Sequence, residues 1–142
     1  MNSDVLESFT AAVRALRARF DRGLQSHGLR LAQARILRAL WEQNGLTPRE
    51  LSELLAVEMP TITRTVQRMI RDGLVSREAH PTDARSVRIA LTDRGNALRD
   101  VVRKVYADET TQALEGLSEP DLRAFVACLD RINRNARRDL KS

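Results

Sequence analysis

The stretch "LTPRELSELLAVEMPTITRTVQRMIRDGLVSRE", Leu46–Glu78, contains two short helical patterns separated by only a few residues. The first pattern opens with a capping box, in which Thr47 is the N-cap and a glutamate follows three residues later. Pro48 occupies the first helical position, where the missing N–H of proline is tolerated. The leucines of this helix are predicted to face inward, and they are Leu51, Leu54 and Leu55.

The second pattern, "MPTITRTVQRMIRDG" at Met59–Gly73, has two chemically different faces. One face is an apolar stripe with helical spacing, made of Ile62, Val66, Met69 and Ile70. Two short helices joined by a tight turn, the second with a positive face, are typical of a helix-turn-helix. The candidate site residues lie on this polar, positive face or in the first turn, and they are Pro60, Thr61, Thr63, Arg64, Gln67 and Arg68.

A helix-turn-helix places its second helix against DNA bases, and two registers of that contact stay open here. The reason is that neither residue before Pro60 is a strong capping residue, so the start of the helix is not fixed. In one register, Arg64 and Gln67 read base edges, since arginine pairs with guanine and glutamine with adenine. In the other register, Thr61 and Arg68 take that role.

Two strand-like runs follow, "LVSREA" at 74–79 and "SVRIAL" at 86–91, and they are predicted to pair as a hairpin. In the second run Val87, Ile89 and Leu91 alternate with the other residues, which predicts one buried face. The connecting "HPTDAR" has turn chemistry, because proline fixes its own φ and aspartate can bond neighbouring amides. The candidate site residues of this wing are Asp83, Arg85 and Arg88.

Long amphipathic helices are predicted on both sides of this middle segment. Apolar positions recur every three or four residues over 5–24, and a second helix is predicted in "LAQARILRALWEQNG" at 31–45. Thr92 caps a long third helix, and Ser118 begins the last one, which is predicted to end in a polar, frayed "RNARRDLKS" at 134–142. The apolar stripes at the two ends of the chain need a further surface, so we predict a homodimer packed through them. An intramolecular bundle is the alternative.

Composition limits the partners of this chain of 142 residues, which is the size of one domain. All but two of its 24 Lys and Arg residues are arginines, and the formal net charge is +5. This balance suits a polyanion such as nucleic acid, or an anionic membrane surface, with a merely soluble basic surface as the alternative. We predict a cytoplasmic protein with no membrane partner, because there is one cysteine, no secretory signal and no apolar run of about 20 residues.

The sequence offers no catalytic or metal-binding pattern. His27 and His80, the only two histidines, lack neighbouring ligands with metal-site spacing, so no metal is predicted. No G-x-G-x-x-G, Walker loop or paired nucleophile and base is present, so we predict neither a cofactor nor an enzyme. Cys128 lies beside the apolar stripe of the last helix and is predicted to be a buried small hydrophobe.

These features together resemble the MarR family of winged-helix transcriptional regulators. The resemblance covers residues 28–98 and rests on "GLRLAQARILRAL", the opening stretch and "HPTDARSVRIALTDRG". The family pattern of the wing tip and the next helix start is present as Asp83, Arg85, Leu91 and Thr92. The chain departs from the family where many members have a second wing arginine, here Ala84, and a threonine before the second helix, here Arg30.

The resemblance implies a mainly α fold with a small β-hairpin wing in a single domain of residues 1–142. Residues 28–98 would form the winged helix-turn-helix core, with dimerisation helices in 1–27 and 99–142. The recognition helices of a dimer would enter adjacent major grooves of double-stranded DNA, and the wings would reach the minor grooves. We predict that Arg85 enters the minor groove and that Asp83 holds its guanidinium group by a charge-assisted bond. The alternative is that these two side chains only pair with each other to stabilise the turn.

The resemblance further implies a ligand-responsive homodimeric repressor that binds a pseudo-palindromic operator. Such family members bind a small aromatic or drug-like effector between the dimer helices and the DNA-binding lobe. One alternative is a winged-helix protein-interaction module without specific DNA binding. Another is a basic amphipathic protein on a membrane, which the 4% aromatic content disfavours.

Overall fold

The computed structural model describes residues 1–138, the side chain of Asn2 excepted. The elements are α1 Asn2–Gln25, α2 Leu31–Glu42, α3 Pro48–Leu55, α4 Met59–Arg71, β1 Val75–Ala79, β2 Val87–Leu91, α5 Asp93–Ala97, α6 Arg99–Ala113 and α7 Glu119–Arg137. The predicted mainly α fold with one small hairpin is therefore confirmed. The frayed end predicted for α7 is helical as far as Arg137, and its last residues, Asp139–Ser142, lie outside the described part of the chain.

Two compact units make up the chain, Met1–Glu109 and a second that begins at Thr110. The first unit contains the hydrophobic core, in which α2, α3, α4 and the hairpin meet. Burying each large apolar side chain of this core contributes about 1.5–3 kcal/mol. Its fully enclosed members include Leu24, Ile36, Leu37, Leu40, Leu51, Ile62, Val66, Met69, Ile89 and Val102.

Helix α3 begins as predicted, but one of its leucines faces solvent. The N–H of Glu50 donates to Oγ1 of Thr47 over 3.1 Å, so the threonine caps the helix. Leu51 is fully buried, whereas the prediction that Leu54 faces inward is wrong, because 63% of it is exposed. Leu51 and Leu55 lie one turn apart on the core face, and Leu54 is rotated by about 100° from Leu55. A helix of two turns buries only that one face.

The start of α2 is capped by groups other than its own N-cap side chain. Arginine has no hydrogen-bond acceptor, so Arg30 at the N-cap cannot bond the first amides. Instead Asp21 of α1 accepts from the N–H of Leu31 over 2.7 Å. The side chain of Gln33 accepts from the N–H of Arg30 over 3.0 Å. These two bonds replace the threonine cap that the family resemblance leads one to expect.

The hairpin forms as predicted, and its strands are antiparallel with Val75 opposite Leu91 and Ala79 opposite Val87. Its burial differs from the predicted alternation, because Val87 is 41% exposed and Ala90 is buried. The base of the hairpin lies on the core, where Ile89 donates its N–H to the carbonyl of residue 46 over 2.8 Å. Towards the tip the strands extend beyond the core, so both of their faces meet solvent.

The long helix predicted after Thr92 is divided into α5 and α6 at Leu98. The predicted cap is present, since Thr92 Oγ1 accepts from the N–H of Gly95 over 3.1 Å. The indole N–H of Trp41 donates to the carbonyl of Gly95 over 3.2 Å. An uninterrupted helix would use that carbonyl for the amide of Arg99, so the side-chain donor disturbs the helical ladder at this point.

The outer helices expose apolar side chains along much of their length. The second half of α1 is held to α6 by Phe20, whose ring centroid lies 4.8 Å from that of Tyr106. None of the residues of α7 is buried. The prediction that Cys128 is buried is accordingly wrong, because α7 buries none of its residues and the thiol is exposed. The exposed apolar residues are Val5, Leu6, Phe9 and Leu16 on α1, and Phe125, Val126 and Ile132 on α7.

Within residues 1–138, no helix is both long and apolar enough to cross a membrane.

Candidate nucleic-acid interface

Helix α4 separates its apolar and polar residues as the sequence predicts. Ile62, Val66 and Met69 are buried, and Ile70 is half-buried. The predicted site residues are all exposed, and they are Pro60, Thr61, Thr63, Arg64, Gln67 and Arg68. The helix therefore presents to solvent a continuous surface of hydrogen-bonding and cationic groups.

The first turn of α4 is held by backbone bonds alone. The carbonyl of Glu58 accepts from the N–H groups of Thr61 and Ile62, each over 3.1 Å, and Glu58 makes no side-chain cap. The hydroxyl of Thr65 donates to the carbonyl of Thr61 over 2.8 Å. The helix begins at Met59, and which pair of its side chains reads bases stays a prediction.

A groove of about 330 Å³ lies between the start of α2 and the exposed, polar face of α4. Its base contains Gln33, which is 3% exposed and donates from Nε2 to Oδ2 of Asp72 over 3.3 Å. This bond joins the start of α2 to the residue that ends α4. The arginines that line the groove are Arg30, Arg64, Arg68 and Arg71. In the sequence Arg30 is marked only by its departure from the family pattern, so its approach to α4 could not be found without the tertiary structure.

The wing tip is organised by His80 and Asp83. Nδ1 of His80 accepts from the N–H groups of Thr82 and Asp83, over 3.3 and 3.2 Å. Asp83 accepts from the N–H of Arg85 over 3.0 Å and from the hydroxyl of Ser86 over 3.4 Å. Both side chains thus fix the turn backbone, in the manner of an Asx turn.

The predicted bond between Asp83 and the guanidinium group of Arg85 is therefore absent among the described residues. The aspartate is short and lies two residues away, so it reaches the backbone amide of Arg85 rather than the end of the side chain. Arg85 is exposed, and its guanidinium group extends from a backbone that other residues hold.

Arg88 has a different setting from Arg85. It stands opposite Glu78 in the hairpin, and its Nη2 lies 3.8 Å from Oε2 of that residue. Only 32% of its side chain is exposed, and its guanidinium group packs against Gly45. A contact between Arg88 and DNA stays a prediction, and it would compete with this ion pair.

Polar bonds that the sequence did not reveal tie the wing to the end of α4. The hydroxyl of Thr92 donates to the carbonyl of Gly73 over 2.6 Å, and Arg94 donates to the carbonyl of Asp72 over 3.0 Å. On the other side, the side chain of Asn44 accepts from the N–H of Leu91 over 2.9 Å. In the sequence, Asn44 is typical of a helix end, and that pattern does not predict its hydrogen bond to β2. The bonds fix the base of the wing relative to α4.

A second cavity, of about 420 Å³, lies between α2, α3 and the first half of α6. The guanidinium carbon of Arg38 lies 4.0 Å from the ring centroid of Tyr106, which is a cation–π contact. Arg35 donates from Nη2 to the carbonyl of Leu55, the last residue of α3, over 2.7 Å. The charged and aromatic residues that line the cavity are Arg35, Arg38, Arg99, Arg103, Glu42, Trp41 and Tyr106, so four arginines face one glutamate. Among the described residues there is no cluster of His, Cys, Asp or Glu that could hold a metal ion.

A helix-turn-helix with an exposed cationic second helix, followed by a two-stranded wing with an arginine at its tip, defines a winged-helix DNA-binding protein. The family model described as "MarR family" matches residues 29–87. Over these residues, which include α2, α3, α4 and β1, the chain is similar to the MarR family of transcriptional regulators. Proteins of this family are regulators of transcription and not enzymes.

Individual relatives agree with this assignment. The HTH-type transcriptional regulator TtmR of Methylorubrum extorquens is 31% identical over 126 residues, which are 89% of this chain and 64% of TtmR. This chain therefore spans slightly less than two thirds of that relative. A probable transcriptional regulator from Pseudomonas aeruginosa is 26% identical, with a TM-score of 0.85 over 92% of this chain and 98% of that one.

A solved structure of a cysteine-to-serine mutant of MarR from E. coli, complexed with operator DNA, has the same fold. Its TM-score is 0.86 at 21% identity, over 91% of this chain and 93% of that one.

Proposed function

We propose that this chain is a homodimeric, ligand-responsive repressor that acts in the cytoplasm and binds a pseudo-palindromic operator through α4 and the wing. The observation that carries the proposal is the exposed face of α4, which combines arginine, glutamine and threonine opposite the buried Ile62, Val66 and Met69. Those residue types are the ones that read base edges in the major groove and anchor phosphates. Occupation of an operator by such a dimer represses transcription by excluding other proteins from the same DNA.

The apolar faces of α1 and α7 support the dimer. Residues such as Phe9 and Phe125 are 38% and 49% exposed, and exposed apolar stripes of this kind are typical of subunit interfaces. A dimer packed through these helices would bring two copies of α4 to one side. The half-sites of the operator would then be centred about 10 base pairs apart, which is one turn of DNA.

The contacts between α4 and DNA bases are tested by first selecting the preferred operator sequence and then titrating that operator with variants of α4. We expect Arg64→Ala or Gln67→Ala to weaken binding by about 1–3 kcal/mol and to relax specificity at one base pair. The matched control is Lys104→Ala, because it removes one exposed cation on α6 that pairs only with Asp108. A chain that binds no DNA, or binds all sequences alike, would instead favour the protein-interaction module.

The cavity between α2, α3 and α6 supports a small aromatic or drug-like effector, and its arginines favour an anionic one. Trp41 and Tyr106 offer aromatic surfaces, while Arg99 and Arg103 offer charge. Arg35 connects this cavity to the end of α3 through its bond to the carbonyl of residue 55. A ligand that draws Arg35 away would release that end and move the connection to α4.

Trp41 is the only tryptophan in the chain, so its fluorescence reports directly on this cavity. We expect aromatic acids from a pooled set to change that fluorescence and to release operator DNA in the same concentration range. Arg103→Gln should weaken both effects and leave DNA affinity without ligand unchanged. Ligands that change the fluorescence but never release DNA would contradict a regulatory role for the cavity.

A further inference from the structure

We propose that the groove between α2 and α4 binds a phosphate of the operator backbone, and that Arg30 extends the DNA interface beyond the helix-turn-helix. This inference rests on the DNA binding proposed above. The groove has a volume of about 330 Å³, and four arginines line it: Arg30, Arg64, Arg68 and Arg71. Arg30 comes from a different helix than the other three, so the groove lies between two elements rather than on one helix face.

The charge of the groove is not neutralised within the described chain. Among residues 1–138 none of its four arginines forms an ion pair with a carboxylate. Asp72 is bonded to the base of the groove, where one of its carboxylate oxygens accepts from the side chain of Gln33. Several like charges around one groove repel each other, and a bound polyanion removes that repulsion. The groove is therefore suited to an anionic partner.

Among residues 1–138 the side chain of Arg30 makes no ion pair that would explain its position. It is exposed and stands at the N-cap of α2, where threonine, serine or aspartate would stabilise the helix. The amides at this end are held by Asp21 and Gln33 instead. The side chain of Arg30 is therefore dispensable for the helix and available to the groove.

The position of the groove favours DNA over a small free anion. A recognition helix in the major groove lies between two phosphate backbones, so surfaces beside the helix meet phosphates. The groove adjoins the face of α4 that carries Arg64 and Gln67, the base readers of one predicted register, and Arg68, a base reader of the other. Because Gln33 ties the start of α2 to Asp72, the two walls of the groove keep a fixed separation. A phosphate held there would set the register of α4 on the operator.

Arg30→Thr separates a structural role of Arg30 from a role in DNA binding. The substitution should preserve or raise the stability of the fold and should lower the affinity for the operator. Threonine is a better N-cap and restores a capping box with Gln33, so the unfolding temperature should stay the same or rise. Operator affinity should fall by the same factor on every sequence tested. For a dimer, the slope of log affinity against log salt should flatten by about 1.8, since each phosphate contact contributes about 0.9.

Two variants serve as controls. Arg30→Lys keeps the charge and should keep most of the slope, whereas Lys104→Gln removes a cation elsewhere and should leave the slope unchanged. If Arg30→Thr binds the operator with the affinity and slope of the parent chain, the phosphate assignment is wrong while the proposed function stands. If the parent chain itself binds no operator, both fail.

Discussion

Arg85 stands at the wing tip on a backbone that its neighbours hold. The side chains of His80 and Asp83 accept hydrogen bonds from backbone N–H groups of the turn. In the described part of the chain, neither side chain bonds the guanidinium group of Arg85. The conformation of the tip therefore does not depend on the arginine side chain. This separation allows the contribution of Arg85 to DNA binding to be measured without disturbing the fold.

We predict that Arg85→Ala weakens operator binding and leaves unfolding nearly unchanged, because an exposed side chain at a wing tip contributes little to stability. If the two wings of a dimer each place one arginine near phosphates, the slope of log affinity against log salt concentration should flatten by somewhat under 2. Titration of operator DNA at several salt concentrations measures this slope.

His80→Ala is the informative comparison for Arg85→Ala. It loosens the tip but removes no formal positive charge at pH 7, so it should weaken binding without flattening the slope as much. An Arg85→Ala variant that binds as tightly as the parent at every salt concentration would show that the wing does not touch DNA.

Gly95 occupies a position where no side chain fits. A Cβ atom there would lie 2.2 Å from the carbonyl oxygen of Leu74, which belongs to the backbone and cannot rotate away. We predict that Gly95→Ala destabilises the protein by about 3 kcal/mol, at the upper end of overpacking effects. Urea unfolding measures the loss, and Asn96→Ala, an exposed neighbour in α5, should change stability by less than about 0.5 kcal/mol. Equal stability of the two variants would contradict the close approach.

At the level of the elements, helical spacing and capping residues predicted the helix-turn-helix and the hairpin correctly. The cap at Thr47 and the apolar stripe of α4 are local patterns, so the sequence contains the information that they need. The exposure of Leu54 and Val87 and the break at Leu98 depend on where the core ends and on a bond from Trp41. Such tertiary effects do not change the spacing of apolar residues in the sequence, so this spacing could not predict them.

The same distinction applies to the candidate site. The exposed residues of α4 follow from its amphipathic pattern, and Arg85 follows from the turn chemistry. The predicted bond from Asp83 to the side chain of Arg85 is wrong because sequence spacing cannot show whether a carboxylate reaches a side chain or a backbone amide. The sequence pattern does not show that Arg30 lies beside α4, because the arginines across the groove are more than 30 residues further along the chain.

The capping box at the start of α7 has a consequence for pH. Hydrogen bonds from Ser118 to the carboxylate of Asp121 lower the pKa of that carboxyl group. A lowered pKa stabilises the folded chain above the pKa of the unfolded state, and this contribution is lost as the pH falls through the folded pKa. We predict that an NMR titration finds the pKa of Asp121 below its ordinary value and that Ser118→Ala raises it. An unchanged titration in Ser118→Ala would contradict the cap as its cause.

At the level of the whole molecule, we predict that the exposed faces of α1 and α7 make the chain a dimer at micromolar concentration. Phe125→Glu should produce a monomer that keeps its helicity, because no residue of α7 is buried in the single chain. Sedimentation measures the mass and circular dichroism the helicity. Ala127→Glu places the same side chain about 200° around the helix and should remain a dimer. A parent chain that sediments as a monomer would remove the basis for adjacent half-sites.

The cations proposed to meet DNA are all guanidinium groups, on α4, at the start of α2 and at the wing tip. Arginine stays protonated throughout the physiological pH range, and lysine acetyltransferases cannot neutralise it. The only lysines of the chain are Lys104 and Lys141, so acetylation has no target on these elements. The attraction of this surface for DNA is thus insensitive to acidification within the physiological pH range and to the metabolic supply of acetyl groups.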